Sequence, residues 1–383
     1  MKHVKPDAAA ATDTLTDEER KALRAGCERR LQGHGLRSIV ETLAELAVLP
    51  ENELQPDQYG EGGAVAVLER EVCDLLAKPS SVFMPSGVMA QQIALRVHAD
   101  RRGRHVIAFH PTCHLELHED KAYQRLHGLV GRTVGDARRL TTLGDLEALQ
   151  EPLAALVIEL PQREIGGQLP AWDDLVAQVG YARDRGAAVH LDGARIWESQ
   201  PFYGRPLDEI AALFDTVYVS FYKGLGAPAG SMLLGEPDVI AEARAWRKRH
   251  GGTLFALWPY AAASLAGLRS RLPRMATYVD HARAIGEALA RTDGVAVVPH
   301  PPHTNMMHLH LRTTEAAVTA GIRGLASERG LWAFGGGAPL DTPGLRGLEL
   351  TVGDATLDFT PDEVADIVRE LLPGVDGGRY AAR

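Results

Sequence analysis

The sequence predicts an α/β fold, a mostly parallel β-sheet covered by helices on both faces. Two observations carry this. Five short apolar runs, "HVIAFH", "AALVIEL", "AAVHLDGA", "TVYVSFY" and "GSMLLG", lack the polar–apolar alternation of a strand with one wet face. Helix-like segments separate most of them, as crossovers between parallel strands require. The chain has 383 residues, 45% of them hydrophobic, enough for a large core and more than one domain.

In chain order, residues 1 to about 15 are Ala-, Asp- and Thr-rich and read as disordered. Thr16 is placed to cap a charged helix over "DEERKALRAGCERRLQ". Pro and Gly break the pattern in "LPENELQPDQYGEGG", which marks a loop. "AVAVLEREVCDLLA" sets Val65, Leu68, Val72 and Leu75 on one helical face. "SVFMPSG" is a strand entering a turn, and "VMAQQIALRVHAD" is the helix that leaves it. After the five apolar runs, "PDVIAEARAWRKRHGG" and "YAAASLAGLRSRL" are helices. Beyond about residue 270, "GVAVVPH", "NMMHLHLR" and "RGLELTVG" alternate with helices, predicting a smaller α+β domain. The expected division is an N-terminal helical arm over 1–55, a large domain over 56–265 and a small one over 266–383.

Composition narrows the function. The net charge of -9 comes without any block of like charge, so nothing points to nucleic acid or an anionic membrane. The first residues hold no apolar segment typical of a signal peptide, and no run is long enough to span a bilayer. Cys27, Cys73 and Cys113 show neither metal spacing nor a disulfide framework. The expected location is the cytoplasm.

Asp192 and Lys223 each end an apolar run, in "AAVHLDGARIW" and "TVYVSFYKGLGAPAGSMLLG", which places both on one rim of the sheet. An acid there needs a cation or a ring-nitrogen proton, although a helix cap or an Arg195 ion pair would also satisfy Asp192. A desolvated lysine becomes a nucleophilic amine, whereas a lone one would simply snorkel. Amine and carboxylate together fit pyridoxal 5'-phosphate (PLP): the lysine binds its aldehyde and the aspartate holds the proton on its pyridine nitrogen. Ser86 and Gly87 open a helix whose N–H groups could take a phosphate or merely be capped, and Ser220 could add a hydroxyl. "HPTCHLELHED" spaces His110, His114 and His118 by four, either for a metal or for an imidazole stacked on a ring; Pro111 breaks any helix through His110. "KGLGAPAG" lacks the ending of a nucleotide P-loop.

The ordered motifs "DQYGEGG", "VFMPSGVMAQQIAL", "CHLELHED", "HLDGARIW", "YKGLGAPAGSMLLG" and "RKRHGG", from Asp57 to Gly252, resemble the threonine aldolase and aromatic amino acid β-eliminating lyase family of fold-type I PLP enzymes. The resemblance implies a large domain with a mostly parallel seven-stranded sheet, a small C-terminal domain, and a homodimer or homotetramer. It implies that Lys223 carries PLP, Asp192 pairs with its ring nitrogen, and His114 stacks on the ring. It assigns the phosphate to Ser86, Gly87 and Val88, with Ser220 in support because Val88 stands where the family usually has threonine. Arg195 would hold the substrate carboxylate or a neighbouring anion, and Tyr59 would join the site from either subunit. Ser38 in "GLRSI" corresponds to a serine of the family's N-terminal motif, with Ile39 and Val40 in place of the usual Asp-Thr.

The chain departs from the family twice. Gln162 in "ELPQREIGGQLP" stands where the family often has a histidine, and Gln is no general base. The family's carboxylate-binding arginine falls near Leu348 and Glu349, with Arg346 close but out of register. The expected reaction is retro-aldol cleavage of a β-hydroxy-α-amino acid to glycine and an aldehyde, with His114, His118 or a water as base. The alternatives are β-elimination or another PLP reaction on a different amino acid, and a non-catalytic scaffold on the same fold, which would need neither Lys223 nor Asp192.

Overall fold

The computed structural model describes residues 14–35 and 37–373, so the stretch expected to be disordered falls almost wholly outside it. The chain divides into two compact units. The larger comprises Arg37–Ala282 and Pro302–Met307; the other comprises the described parts of Met1–Leu36, Arg283–Pro301 and His308–Arg383.

The larger unit is built on a seven-stranded sheet. Its strands are β1 (Ser80–Met84), β2 (Val106–Phe109), β3 (Val130–Thr133), β4 (Ala155–Glu159), β5 (Ala188–Gly193), β6 (Thr216–Ser220) and β7 (Ser231–Gly235). Their spatial order is β1-β7-β6-β5-β4-β2-β3. The pairs from β6 across to β3 are parallel, and β7 runs antiparallel to both β6 and β1. Every residue of β5, β6 and β7 is buried. That is why their sequences show no alternation: both faces are covered. The edge strand β3 is polar and partly exposed, with Arg132 paired to Glu151, which discourages further strand addition.

The principal helices of this unit are α1 (Ile39–Ala47), α2 (Gly63–Leu76), α3 (Gly87–Arg102), α4 (His114–Leu117), α5 (Trp172–Asp184), α6 (Ile196–Tyr203), α7 (Pro237–Arg249) and α8 (Trp258–Arg271). Val65, Leu68 and Val72 of α2 are buried as their spacing predicts. The fourth core position is Leu76 rather than Leu75, because four residues on from Val72 keeps the helical period. Ala90, Ile93, Ala94 and Val97 of α3 pack with Val82, Met84, Tyr218 and Leu233 of the sheet and with Ile240 and Ala243 of α7. Each fully buried aliphatic side chain there stabilises the fold by roughly 1.5–3 kcal/mol. The "DQYGEGG" loop is organised by buried Asp57. Its carboxylate accepts hydrogen bonds from the N–H groups of Gly60, Leu257 and Trp258, and so holds the start of α8.

The smaller unit holds β8 (Val295–Val298), β9 (Met306–Arg312, from His308 onward), β10 (Ala338–Pro339) and β11 (Leu345–Thr351), in the order β10-β11-β9-β8. Helices Asp17–Gly26, Glu315–Arg329 and Pro361–Arg369 accompany them. Thr16 caps the first of these by accepting from Glu19 N–H. That helix is shorter than the sequence predicts. It stops at Gly26, because Arg29 and Arg30 leave it to pair in parallel with Leu331 and Trp332.

Candidate active site

The parallel strands deliver their carboxyl ends to one edge of the sheet. Register places Glu159, at the end of β4, directly beside Asp192 on β5, and Asp192 beside Tyr218 on β6. Asp192 is buried, with one oxygen accepting from Ala194 N–H at 3.1 Å and the other from the Gln91 amide at 2.5 Å. It is thus held by neutral donors rather than by an ion pair with Arg195.

Lys223 follows β6 in a closed turn. Phe221 N–H donates to Gly230 O, Ala227 N–H to Phe221 O, and Gly226 N–H to Lys223 O. The lysine is partly buried, with Nζ 6.0 Å from the centre of its neighbour Tyr222. Burial lowers its pKa, and the Arg195 guanidinium adds to this; Asp192 and Glu159 pull the other way. The amine therefore lies within the field of both rim carboxylates. Glu198 of α6 is buried beneath the turn. A Cβ on Gly224 would sit 2.0 Å from its Oε1, so only glycine admits this approach. Burial raises the Glu198 pKa to about 7. Burial, then the neighbouring Asp192 charge, likewise raises Glu159 to about 7.

Ser86 caps α3, its hydroxyl accepting from Met89 N–H at 3.4 Å, with Gly87 at the first helical position and Val88 exposed beside it. Gly230 N–H donates to Pro85 O, which joins this turn to the lysine turn. A Cβ on Gly87 would lie 1.9 Å from the Tyr218 hydroxyl, so the backbone here is bare by necessity. Ser220 Oγ is fully buried and has no hydrogen-bond partner among the described residues. A glycine-opened helix start, with an orphaned buried hydroxyl at the end of β6, fits a phosphate, and a lysine amine within the field of a carboxylate fits the rest of PLP.

His114 opens α4 and is oriented by buried Glu119, 2.9 Å from its Nδ1. The other Glu119 oxygen accepts from the Gln92 amide at 2.6 Å. Consecutive glutamines on α3 thus serve the two groups expected to flank the cofactor ring. His118 Nε2 is engaged by Glu164 at 2.9 Å. Among the described residues, no group of three or more His, Cys, Asp or Glu is arranged to hold a metal ion. His110 instead fastens the Asp136 and Arg139 loop carbonyls.

Arg195 begins α6, partly exposed, and its guanidinium makes no hydrogen bond or ion pair among the described residues. Gln162 is buried, its amide nitrogen held by Thr112 and by Glu159 at 3.2 Å. Tyr59 has φ 56° and packs edge-on against Phe255, its carbonyl accepting from Arg247. Ser38 spends its hydroxyl as the cap of α1, accepting from Glu41 N–H. Arg346 lies in the smaller unit, where it bonds Gly337 O and pairs with Glu315. Sequence reading passed over Glu159, Glu198 and Gln91. The signal for Glu159 was present: "LVIEL" ends an apolar run in an acid just as "VHLDG" does.

The β-eliminating lyase family model matches residues 48–314. A probable low-specificity L-threonine aldolase 2 of Arabidopsis thaliana is 31% identical over 271 residues, covering 68% of this chain and 76% of the relative. The low specificity L-threonine aldolase of Escherichia coli K12 is 29% identical over 297 residues, covering 74% and 86%. A solved Listeria monocytogenes EGD-E chain assigned as an L-allo-threonine aldolase superposes with TM-score 0.86 at 37% identity, over 92% of this chain and 98% of that one.

Proposed function

The chain belongs to the β-eliminating lyase family, and on that premise we propose that it is a PLP-dependent lyase. Its reaction is retro-aldol cleavage of a β-hydroxy-α-amino acid to glycine and an aldehyde. The observation that carries this is the Lys223 amine, without a hydrogen bond or ion pair among the described residues and lowered in pKa by burial, on the same sheet edge as Asp192.

Bound PLP supplies an electron sink for the bond broken at Cα. The residues of the chain do the rest. Lys223 presents an amine with an enlarged unprotonated fraction to the aldehyde. Asp192 would hold the proton on the ring nitrogen of bound PLP. The N–H groups that begin α3, with Ser86 and Ser220, receive the phosphate. His114, fixed by Glu119, would lie against the ring of bound PLP. Arg195 has an uncommitted guanidinium for the substrate carboxylate, with the fork geometry that such a group needs. Gln162 cannot take a proton, so we assign the β-hydroxyl proton to His114, the imidazole that would lie against the bound ring. Its Nδ1–H donates to Glu119, which leaves Nε2 with the lone pair in the neutral ring.

The test is product analysis. With PLP and L-threonine or L-allo-threonine, glycine and acetaldehyde should appear in equal amounts. Ammonia and a keto acid without glycine would establish β-elimination instead. Absence of a visible-range cofactor band from protein supplied with PLP would favour a scaffold.

We also propose a homo-oligomer in the cytoplasm. Ile39, Val40, Leu43 and Val48 of the α1 segment are exposed, Val48 by 81%, an apolar surface that a second copy would cover. Cys27, Cys73 and Cys113 are unpaired, as a reducing compartment keeps them. No helix among the described residues is long and apolar enough to cross a membrane. Sedimentation at micromolar protein should give at least twice the 41.4 kDa chain mass.

A further inference from the structure

Behind Asp192 runs a buried row of polar groups that the reaction itself does not use. Gln91 and His98 lie seven residues apart on α3, which puts them on one face two turns apart. His190 on β5 is the register partner of Thr216 on β6. The contacts are Asp192 Oδ2 to Gln91 Nε2 at 2.5 Å, Gln91 Oε1 to His190 Nε2 at 3.1 Å, His190 Nδ1 to Thr216 Oγ1 at 2.8 Å, and Thr216 Oγ1 to His98 Nε2 at 2.8 Å. All five residues are at most 2% exposed.

The direction of every bond follows from the carboxylate end. A carboxylate only accepts, so the Gln91 nitrogen faces it and the Gln91 oxygen faces His190. That oxygen also only accepts, so His190 carries its proton on Nε2. Its bare Nδ1 then accepts the single hydroxyl proton of Thr216. Thr216 has no further proton to give, so His98 donates from Nε2. The Nδ1 left on His98 accepts from Arg102 Nη1 at 3.5 Å. Burial lowers the pKa of both histidines to about 3, with Arg102 and Arg101 adding to the effect on His98, and His98 adding to it on His190. Both rings are therefore neutral at working pH, as the chain of bonds requires.

We propose that Gln91, His190, Thr216 and His98 are positioning residues for Asp192, a one-way hydrogen-bond chain in which every proton is donated toward that carboxylate. Each member polarises the next, and all the positive ends point at the group that must hold the cofactor's ring proton. Each bond fixes the orientation of the next, so a link lost in the middle of the row weakens the hold of His190 on the Gln91 amide. The inference rests on the assignment of Asp192 to the PLP ring nitrogen, but the bond directions do not.

Two experiments separate these. In the cofactor-free protein, ¹⁵N-resolved NMR should show His98 and His190 as Nε2–H tautomers whose shifts do not change between pH 5 and pH 8. An Nδ1–H tautomer at His190, or titration of either ring near its ordinary pKa, overturns the chain whether or not PLP binds. The near-isosteric Thr216→Val removes the central link. It should weaken PLP binding by roughly tenfold and move the pH midpoint of the bound-cofactor absorbance band, and Thr216→Ser should restore both. Wild-type affinity and an unmoved midpoint in Thr216→Val overturn the positioning role. PLP that fails to bind the unsubstituted protein defeats the assignment of Asp192 and leaves the NMR result standing.

Discussion

Lys223→Ala removes an amine that lies within the field of two carboxylates, so covalent PLP should vanish and turnover fall by roughly 10³-fold or more, with the melting temperature nearly kept. Absorbance and product assays on one preparation check this. Gly87→Ala tests the phosphate turn. Its new methyl would meet the Tyr218 hydroxyl at 1.9 Å and the ring carbon behind it at 2.5 Å, which costs about 1–3 kcal/mol of stability. Adding Tyr218→Phe should recover part of that loss and not all of it, because the ring carbon stays. At this scale the sequence was informative where a motif fixed a backbone turn, as at Lys223, Asp192 and Ser86. It was silent where a role depends on register or burial. Glu198 reads as an ordinary helix acid, and only folding carries it beneath Gly224. Gln91 and Gln92 read as the polar side of a helix, yet both are buried against carboxylates from distant segments.

Among the elements, the strands were legible because both-face burial leaves unbroken apolar runs, and β4, β5, β6 and β7 formed within the runs that foretold them. Helix ends were less so. The first described helix stops at Gly26 because pairing with Leu331 and Trp332 competes for Arg29 and Arg30, a long-range contact that no local pattern encodes. The "DQYGEGG" loop shows the same limit. Its glycines announce turns, but the task of Asp57, gathering the N–H groups at the start of α8, lies two hundred residues away in sequence. Asp57→Ala should cost about 3 kcal/mol, since charged hydrogen bonds of this kind contribute about 1.5–3 kcal/mol each and the N–H groups would be left buried. Asp57→Asn, which keeps an acceptor, should cost less. Chemical denaturation of the two variants gives the comparison, and equal losses would show that the neutral acceptor kept by Asn contributes nothing and that the charge of Asp57 carries the whole effect.

Over the whole molecule, buried titratable groups set opposing pH dependences. His98 and His190 are held neutral with pKa about 3, and His127, buried against His250, with pKa about 4. An unfolded histidine titrates near 6.5, so acid favours the unfolded chain, and stability rises from about pH 4 to pH 6.5 as that advantage is lost. Glu159 and Glu198 work the other way. Their folded pKa of about 7 lies above the unfolded value, so the stability they contribute is complete below about pH 4.5 and is lost as pH rises through 7. Three histidines with the larger displacements outweigh two glutamates. Apo-protein melting temperature should therefore climb between pH 5 and pH 6.5 and then flatten or dip towards pH 7.5. Glu198→Gln should reduce any such dip, and a dip unchanged in that variant would remove Glu198 from the balance.

The proposed function turns on a covalent bond between PLP and Lys223, with Asp192 at the ring nitrogen. Borohydride reduction of the PLP-loaded protein, followed by proteolysis and mass mapping, reads it directly. A single pyridoxyl mass is expected, on the peptide containing Lys223. A pyridoxyl group on another lysine, or none on protein that shows a cofactor band, would contradict it.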